Sequence, residues 1–544
     1  MKPNIYLLTV CSCLLVFSCK TEEVPDAVYY NGVVYTVDSA FTVIEAFAVK
    51  DGKVVATGTS EQLLQLHAKK QVDLQHRPVY PGFYDAHCHF YGYGVDLKKI
   101  WLTGTRSFDE VIDTLVKYRD QRFMGWIWGR GWDQNDWEDK QYPDNARLDS
   151  LFPDVPVFLI RIDGHAALAN SKALRLCGVN EQTTVQGGEL LKKNGRLNGL
   201  LIDNAMDLVK LKIPVPDKTA LSEALLSAQK NCFAVGLTTV VDAGLDVSTI
   251  LLIDSLQKAG RLNMRINAMV SFSKANVEYY RKQGPYRSDR LQVQSFKLYA
   301  DGALGSRGAC LLHPYSDLPG HHGFLLSSID SIRYAARTAL DMGFQLNTHC
   351  IGDSANRLLL SVYADVLKGK NNKRWRIEHA QVMHPSDFHL FHDFSIIPSV
   401  QPTHATSDMY WAGDRLGSVR LKGAYAYRQL LEQAGLLAAG SDFPVEAIPP
   451  LYGFYAAVVR KDQQQYPPAG FQPENAISRE QALRAMTIWA AYASFQEQER
   501  GSIEPGKWAD FVVLEKDIMK ADESELFSTK VMSTWLAGEQ VYAP

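Results

Sequence analysis

The chain has 544 residues, 46% of them hydrophobic, which excludes a disordered tail, a small disulfide scaffold or a single short module. Lysine and arginine number 57 against 60 acidic residues, a formal net charge of −3. No broad basic face is available to grip nucleic acid or an anionic membrane, and a small molecule is the expected partner.

The N-terminus departs from this average. After Lys2, the run from Ile5 to Phe17 is almost wholly apolar and stops at Ser18-Cys19. It is too short to span a bilayer but has the charged start, apolar middle and small-residue exit of an export signal. Val16-Phe17-Ser18-Cys19 resembles the lipobox of bacterial lipoproteins, which implies a signal peptide over residues 1–18 and a lipid on Cys19. Residues 19–26 then read as a tether, and the expected location is that of an exported, membrane-anchored lipoprotein, periplasmic or at the cell surface, whose only membrane contact is the anchor. Of eight cysteines, Cys88, Cys177, Cys232, Cys310 and Cys350 remain beyond the leader. An odd, scattered set predicts free thiols rather than a disulfide framework.

From Ala27 to about Tyr80 the pattern is β, with hairpin signals at Asn31-Gly32 and Asp51-Gly52. The C-terminus returns to the same style at Phe511 to Leu514 and Val531 to Val541. Residues 27–80 and 500–544 are therefore expected to form one composite β-sandwich domain.

Between these ends, over residues 81–499, short apolar strands alternate with helical patterns. A clear helix opens at the capping box Ser107-x-x-Glu110, with Phe108, Val111, Ile112, Leu115 and Val116 spaced for one face. Strands are predicted up to His87 and at Leu237 to Val241, Met264 to Val270, Val293 to Tyr299, Gln345 to Thr348, Arg374 to Ile377, Ser395 to Val400 and Leu436 to Ala439. This set of strands predicts an α/β fold, a (β/α)8 barrel of the TIM type with its chemistry at the C-terminal strand ends. Residues of about 126–210 break the alternation with Trp-rich loops and read as an insertion after the first strand.

Those strand ends carry the candidate site. His87 and His89 lie two apart and point to one side of a strand. Lys297, His349, His379 and Asp442 each sit where a later strand stops. One histidine so placed is ordinary, but the set on five strands reads as a metal site. A lysine ammonium has no lone pair, so Lys297 is a ligand only if deprotonated or converted to a carbamate; the alternative is a lysine paired with Asp301.

This set resembles the amidohydrolase superfamily, with His-x-His on strand one, lysine on strand four, histidines on strands five and six and aspartate on strand eight. Trp128 to Asp133, Asp163-Gly164-His165 with Asn170 to Leu174, Asp301 to Arg307, His349 to Asp353, Gln401 to Thr406 and Gly440 to Glu446 resemble the subfamily that contains N-substituted formamide deformylase and YtcJ-like proteins. The likeness implies two divalent metal ions, zinc, with Lys297 as the bridging carbamate, His87, His89 and Asp442 at one metal and His349 and His379 at the other. Two such ions would acidify a shared water and polarise a substrate carbonyl. Asp442 would take the water's proton and return it to the leaving nitrogen. Trp132, His165, Arg307 and His404 lie in the same motifs as candidate substrate contacts, and the tryptophans from Trp126 to Trp137 read either as an aromatic pocket wall or as the packing core of the insertion. Two departures from the family pattern stand close to these motifs, Gly308 where threonine is usual and Tyr84 where an aliphatic residue is usual.

The expected activity is hydrolysis of a non-peptide carbon–nitrogen bond in a small amide, an N-substituted amide or formamide. Two other readings stay open: a mononuclear deaminase of the same superfamily, and a surface binding lipoprotein without catalysis. Natural substrate and oligomeric state are not set by these patterns.

Overall fold

A computed structural model describes residues 24–544, so the leader and Cys19 lie outside the described residues. Eight parallel strands form the central sheet: β1 Phe83–Cys88, β2 Leu237–Leu245, β3 Arg265–Ser271, β4 Leu291–Tyr299, β5 Gln345–Cys350, β6 Arg376–His379, β7 Ile397–Val400 and β8 Ala438–Ala439. Each neighbours the next in chain order, as the predicted alternation requires. The last strand is only two residues long, and the barrel closes just beyond it, where Asp442 N donates to His87 O at 2.7 Å and His89 N to Phe443 O at 2.8 Å. Gly440 permits that approach, since a Cβ there would lie 2.4 Å from His87 N.

Both chain ends build the accessory sandwich. One sheet runs in the order Lys53–Gly58, Ala46–Lys50, Ala27–Tyr30, Lys70–Asp73; the other runs Glu539–Tyr542, Val531–Leu536, Phe511–Leu514, Pro78–Pro81, Val33–Tyr35, Val43–Ile44. Tyr29 and Phe47 of the first sheet pack against Phe511 and Trp535 of the second, with Tyr29–Phe511 centroids 4.9 Å apart. Asp51-Gly52 is the predicted hairpin turn, with both residues at positive φ. Asn31-Gly32 is not: the strands on either side of it belong to different sheets. Asn31 takes the left-handed conformation at φ 61°, and Gly32 N donates to Glu45 O, so the pair carries the chain across the sandwich rather than back along a strand.

A bidentate ion pair joins barrel to sandwich. Arg265 at the start of β3 meets Asp510 at 2.6 and 3.0 Å, with both side chains no more than 4% exposed. Asp510→Ala would leave a buried guanidinium without its partner, a loss of about 3–5 kcal/mol. Thermal unfolding followed by circular dichroism should show a clearly lower midpoint for this variant.

The added layer begins earlier than the 126–210 segment expected. Its sheet has the order Gly188–Lys193, Arg196–Asp203, Ala166–Ala169, Val157–Arg161, Ile127–Trp132, Ile100–Trp101. The helix Phe108–Lys117 packs on it through Val111, Ile112 and Leu115. Ile100–Trp101 is too short to show a strand period, and the helix after it mimics the barrel's own alternation. All five cysteines within the described residues are free. No described helix is long and apolar enough to cross a membrane.

Candidate active site

The C-terminal strand ends bring His87, His89, Lys297, His349, His379 and Asp442 together on one cavity of about 790 Å³. Alternation along β1 aims His87 and His89 inward, while Cys88 donates to Val241 O in the outer layer. At β6 and beyond β8 the backbone itself turns the ligands in: His379 has φ 76° and Asp442 φ 61°.

The hydrogen bonds determine which atoms remain for a metal. His87 Nδ1 meets Glu378 Oε2 at 2.5 Å, and His89 Nδ1 donates to Ala243 O at 3.0 Å. Each ring therefore carries its proton on Nδ1 and turns an Nε2 lone pair toward Asp442 Oδ1, at 3.5 and 3.2 Å respectively. Lys297 Nζ reaches His87 Nε2 at 3.1 Å, but the His89 lone pair and Asp442 Oδ1 still face each other and repel unless a cation lies between them. His349 Nε2, His379 Nδ1 and Asp442 Oδ1 are buried with no hydrogen-bond partner. Among the described residues two groups reach metal-binding spacing, His87–His89–Asp442 and His379–His404–Asp442. The residues present thus fit bound divalent cations. His404 joins the second group, with Nε2 3.5 Å from Asp442 Oδ2 and Nδ1 2.9 Å from Glu446 Oε1.

Charge follows burial. Desolvation pushes the His349 and His379 imidazoles well below their ordinary range, and together with the Lys297 ammonium it takes His87 down to about 4. Neutral rings are the form that binds metal. Burial raises the Asp442 carboxyl, but the imidazoles of His404 and His89 outweigh it and hold the group well below the usual carboxylate range.

Glu378 was not among the residues the sequence reading assigned to the site. It is fully buried, pairs with Arg376 at 2.7 Å and orients His87 from behind. Burial works against its ionisation, and Arg376 and His87 overcome that. The signal was present in Arg376-x-Glu378: two charges on one face of an otherwise apolar strand demand an interior partner.

Lys297 is 1% exposed, and its Nζ lies 3.1 Å from His87 Nε2. Burial pushes the ammonium down to about 8 against the pull of Glu378 and Asp442. The pairing with Asp301 does not occur. Asp301 accepts from the backbone N–H groups of Ile351, Cys310 and Gly352 at 2.8–2.9 Å, and so anchors the loops after β4 and β5.

The four candidate substrate contacts separate. His165 and His404 line the cavity. Trp132 does not: it is 1% exposed, donates Nε1–H to Leu159 O and packs on Trp137 and Tyr142 inside the added layer. Arg307 is also outside, paired with Asp317 at 2.8 Å. The tryptophans from Trp126 to Trp137 belong to the layer's cores, and the aromatic wall comes instead from Tyr93, Trp101, Trp411 and Tyr452. Of the two departures, Tyr84 points away from the cavity and donates to Gln496 Oε1 at 3.1 Å. Gly308 clears room for a carboxylate, because a Cβ there would lie 2.2 Å from Asp203 Oδ2.

Strand-end imidazoles, a neutralisable lysine and an ionised aspartate above a barrel define a metal-dependent hydrolase. Residues 70–542 match the model of the Amidohydrolase family. The chain belongs to that family. It is 31% identical over 532 residues to "Putative amidohydrolase YtcJ" of Bacillus subtilis, covering 95% of this chain and 99% of that one. It is 26% identical over 543 residues to "N-substituted formamide deformylase" of Arthrobacter pascens, covering 95% and 98%. Among solved structures, an uncharacterized metal-dependent hydrolase from Pyrococcus horikoshii superposes with a TM-score of 0.75 at 26% identity, covering 92% of this chain and 99% of that one.

Proposed function

We propose that the protein hydrolyses the carbon–nitrogen bond of a small N-substituted amide, the formamides included, with two zinc ions and a carbamate on Lys297. The observation that carries this reading is the convergence of lone pairs from His87, His89, His349, His379 and Asp442 around a buried lysine, with His349 Nε2, His379 Nδ1 and Asp442 Oδ1 lacking any hydrogen-bond partner. Carbamate formation needs a neutral amine, and with its ammonium near 8 about a tenth of Lys297 is neutral at pH 7, against about one in three thousand for an ordinary lysine. When bound, divalent ions supply Lewis-acid polarisation of the carbonyl and acidify water. Asp442 is the base: one oxygen faces the histidine pair of β1, and the other faces His404. It takes the proton of the attacking water and delivers it to the leaving nitrogen, which departs as the amine. The cavity's aromatic wall suits an apolar substituent on the amide.

The test pairs metal analysis of the purified protein with a panel of N-acyl and N-formyl amines. About two equivalents with amine release supports the reading. About one equivalent with ammonia release identifies a mononuclear deaminase, and neither metal nor turnover identifies a binding protein.

The leader adds a location. Cys19 is proposed to carry the lipid of a surface or periplasmic lipoprotein, supported by the apolar run that ends at Ser18. Cys19→Ala should move the protein from membrane to soluble fractions while its activity persists. An unchanged membrane fraction would refute the anchor.

A further inference from the structure

The cavity carries more acid than the site above uses. Besides Asp442, its lining includes Asp133, Asp136, Asp163, Asp408 and Glu446, against the cationic side chains of Arg161 and Lys297. Arg161 lies between Asp133 and Asp163, and Glu446 accepts from Ser407 Oγ at 2.6 Å and meets His404 at 2.9 Å. Asp136 and Asp408 have no ion-pair partner among the described residues.

A second feature, independent of charge, points to a ligand on this wall. Gln381 is 5% exposed and lines the same cavity. Its Nε2 donates to Asp408 Oδ2 at 3.2 Å and to Tyr425 Oη at 3.0 Å, and Tyr425 O–H donates to Asp408 Oδ2 at 2.7 Å. This closed triangle takes both hydrogens of the carboxamide and one oxygen of Asp408. Gln381 Oε1 and Asp408 Oδ1 are what remains for the cavity, two acceptors to which no described residue donates. A wall whose free groups all accept suits a ligand that only donates, as an ammonium does. Burial pushes the Asp408 carboxyl up to about 7, with Glu446 and Asp133 adding to it against His404 and Tyr425; an arriving cation shifts it back down.

We propose that Gln381 Oε1 and Asp408 Oδ1, with Asp136 at the cavity mouth, bind a protonated amine on the substrate, so that the amides this enzyme selects are monoacylated diamines. This rests on the amide-hydrolase reading and names its substrate class. Trp411, whose N–H donates to Asp408 O at 3.0 Å, adds an aromatic ring to the same wall. Asp408 stands one turn, about 5.4 Å, along the helix Pro402–Asp408 from His404, whose Nε2 is 3.5 Å from Asp442. A spacer of about four methylene groups spans that separation.

The experiment compares N-(4-aminobutyl)acetamide with its neutral isostere N-pentylacetamide on the zinc-supplied full-length protein, at about pH 8, where Asp408 is mostly ionised and the amine still protonated. Turnover and calorimetric binding are read separately. The wild type should favour the cationic amide by about tenfold or more in kcat/KM and in Kd, and added salt should reduce the preference. Asp408→Asn should bring the ratio close to unity, and Gln381→Met should lower it severalfold. Asp136→Asn should lower it by about threefold, and because Asp136 is exposed this variant guards against a folding defect in the other two.

A wild-type ratio near unity with either amide turned over, or a ratio unchanged in all three variants, overturns this inference alone. A preference seen in binding and lost in the variants, with no turnover of either amide, faults the hydrolase reading alone. Neither binding nor turnover of either amide overturns both.

Discussion

Asp442→Asn should lower kcat by about three orders of magnitude or more while most of the bound metal stays. The amide keeps an oxygen to face the cations but cannot accept the water's proton, and loss of a positioned acid–base group costs about 10²–10⁴-fold. His87, His89, His349 and His379 remain, and Glu378 still holds His87 by its Nδ1. Metal content by plasma emission alongside steady-state kinetics separates the two effects. Near-normal turnover would move the base elsewhere, and His404, 3.5 Å from Asp442 and already between two carboxylates, is the side chain to replace next.

Lys297→Ala should lose metal and activity together. The variant removes the amine that would become the anion among these ligands, and cations held near each other without it repel. Occupancy should fall from about two equivalents to about one or fewer, with activity down by orders of magnitude. The truncated side chain leaves room at the barrel floor, so acetate or propionate should restore part of the activity in the variant and none in the wild type. Native mass analysis of the wild type should show the mass of one added carbon dioxide, lost on acidification. Because Lys297 is neutral only above about pH 8 for the most part, reloading of metal-stripped protein with carbon dioxide and zinc should quicken as pH rises toward that value. Full activity and full metal content in Lys297→Ala, with no acid added, would leave a mononuclear site as the better account.

The barrel was legible in the sequence because its strands are short apolar runs, five of which lead directly into a residue type that binds metal. All eight predicted segments are strands of the sheet. The sequence is silent where local pattern and long-range packing part. The strands beside Asn31-Gly32 look like a hairpin, and only the pairing of Val33–Tyr35 with Pro78–Pro81 shows that they are not. Trp132 sits in a motif that reads as a site, yet its indole closes a core whose other members are scattered from Ile100 to Ile202. Glu378 adjoins His379, whose ligand chemistry masks it in the sequence, although a glutamate is buried far more rarely than a histidine and so demands a partner. Asp203 carried no sequence signal at all: its partner His165 is 38 residues away, and the glycines that admit it are on another strand's loop.

The seam between β8 and β1 has a thermodynamic consequence. Closure rests on few backbone bonds, with Asp85 accepting from Ser441 N and Oγ as a supplement, and the residues on either side of the join, His87 and Asp442, are the same ones that turn acceptors to one shared space. Anything that binds the folded chain through both sides of the join adds RT ln(1 + [L]/Kd) to its stability. Zinc buffering in the surroundings would then govern more than turnover: starved of metal, the barrel should open first along this edge, with exchange of the Asp442 amide hydrogen reporting it before any global unfolding. Metal supply would so become a determinant of how long each molecule survives proteolysis.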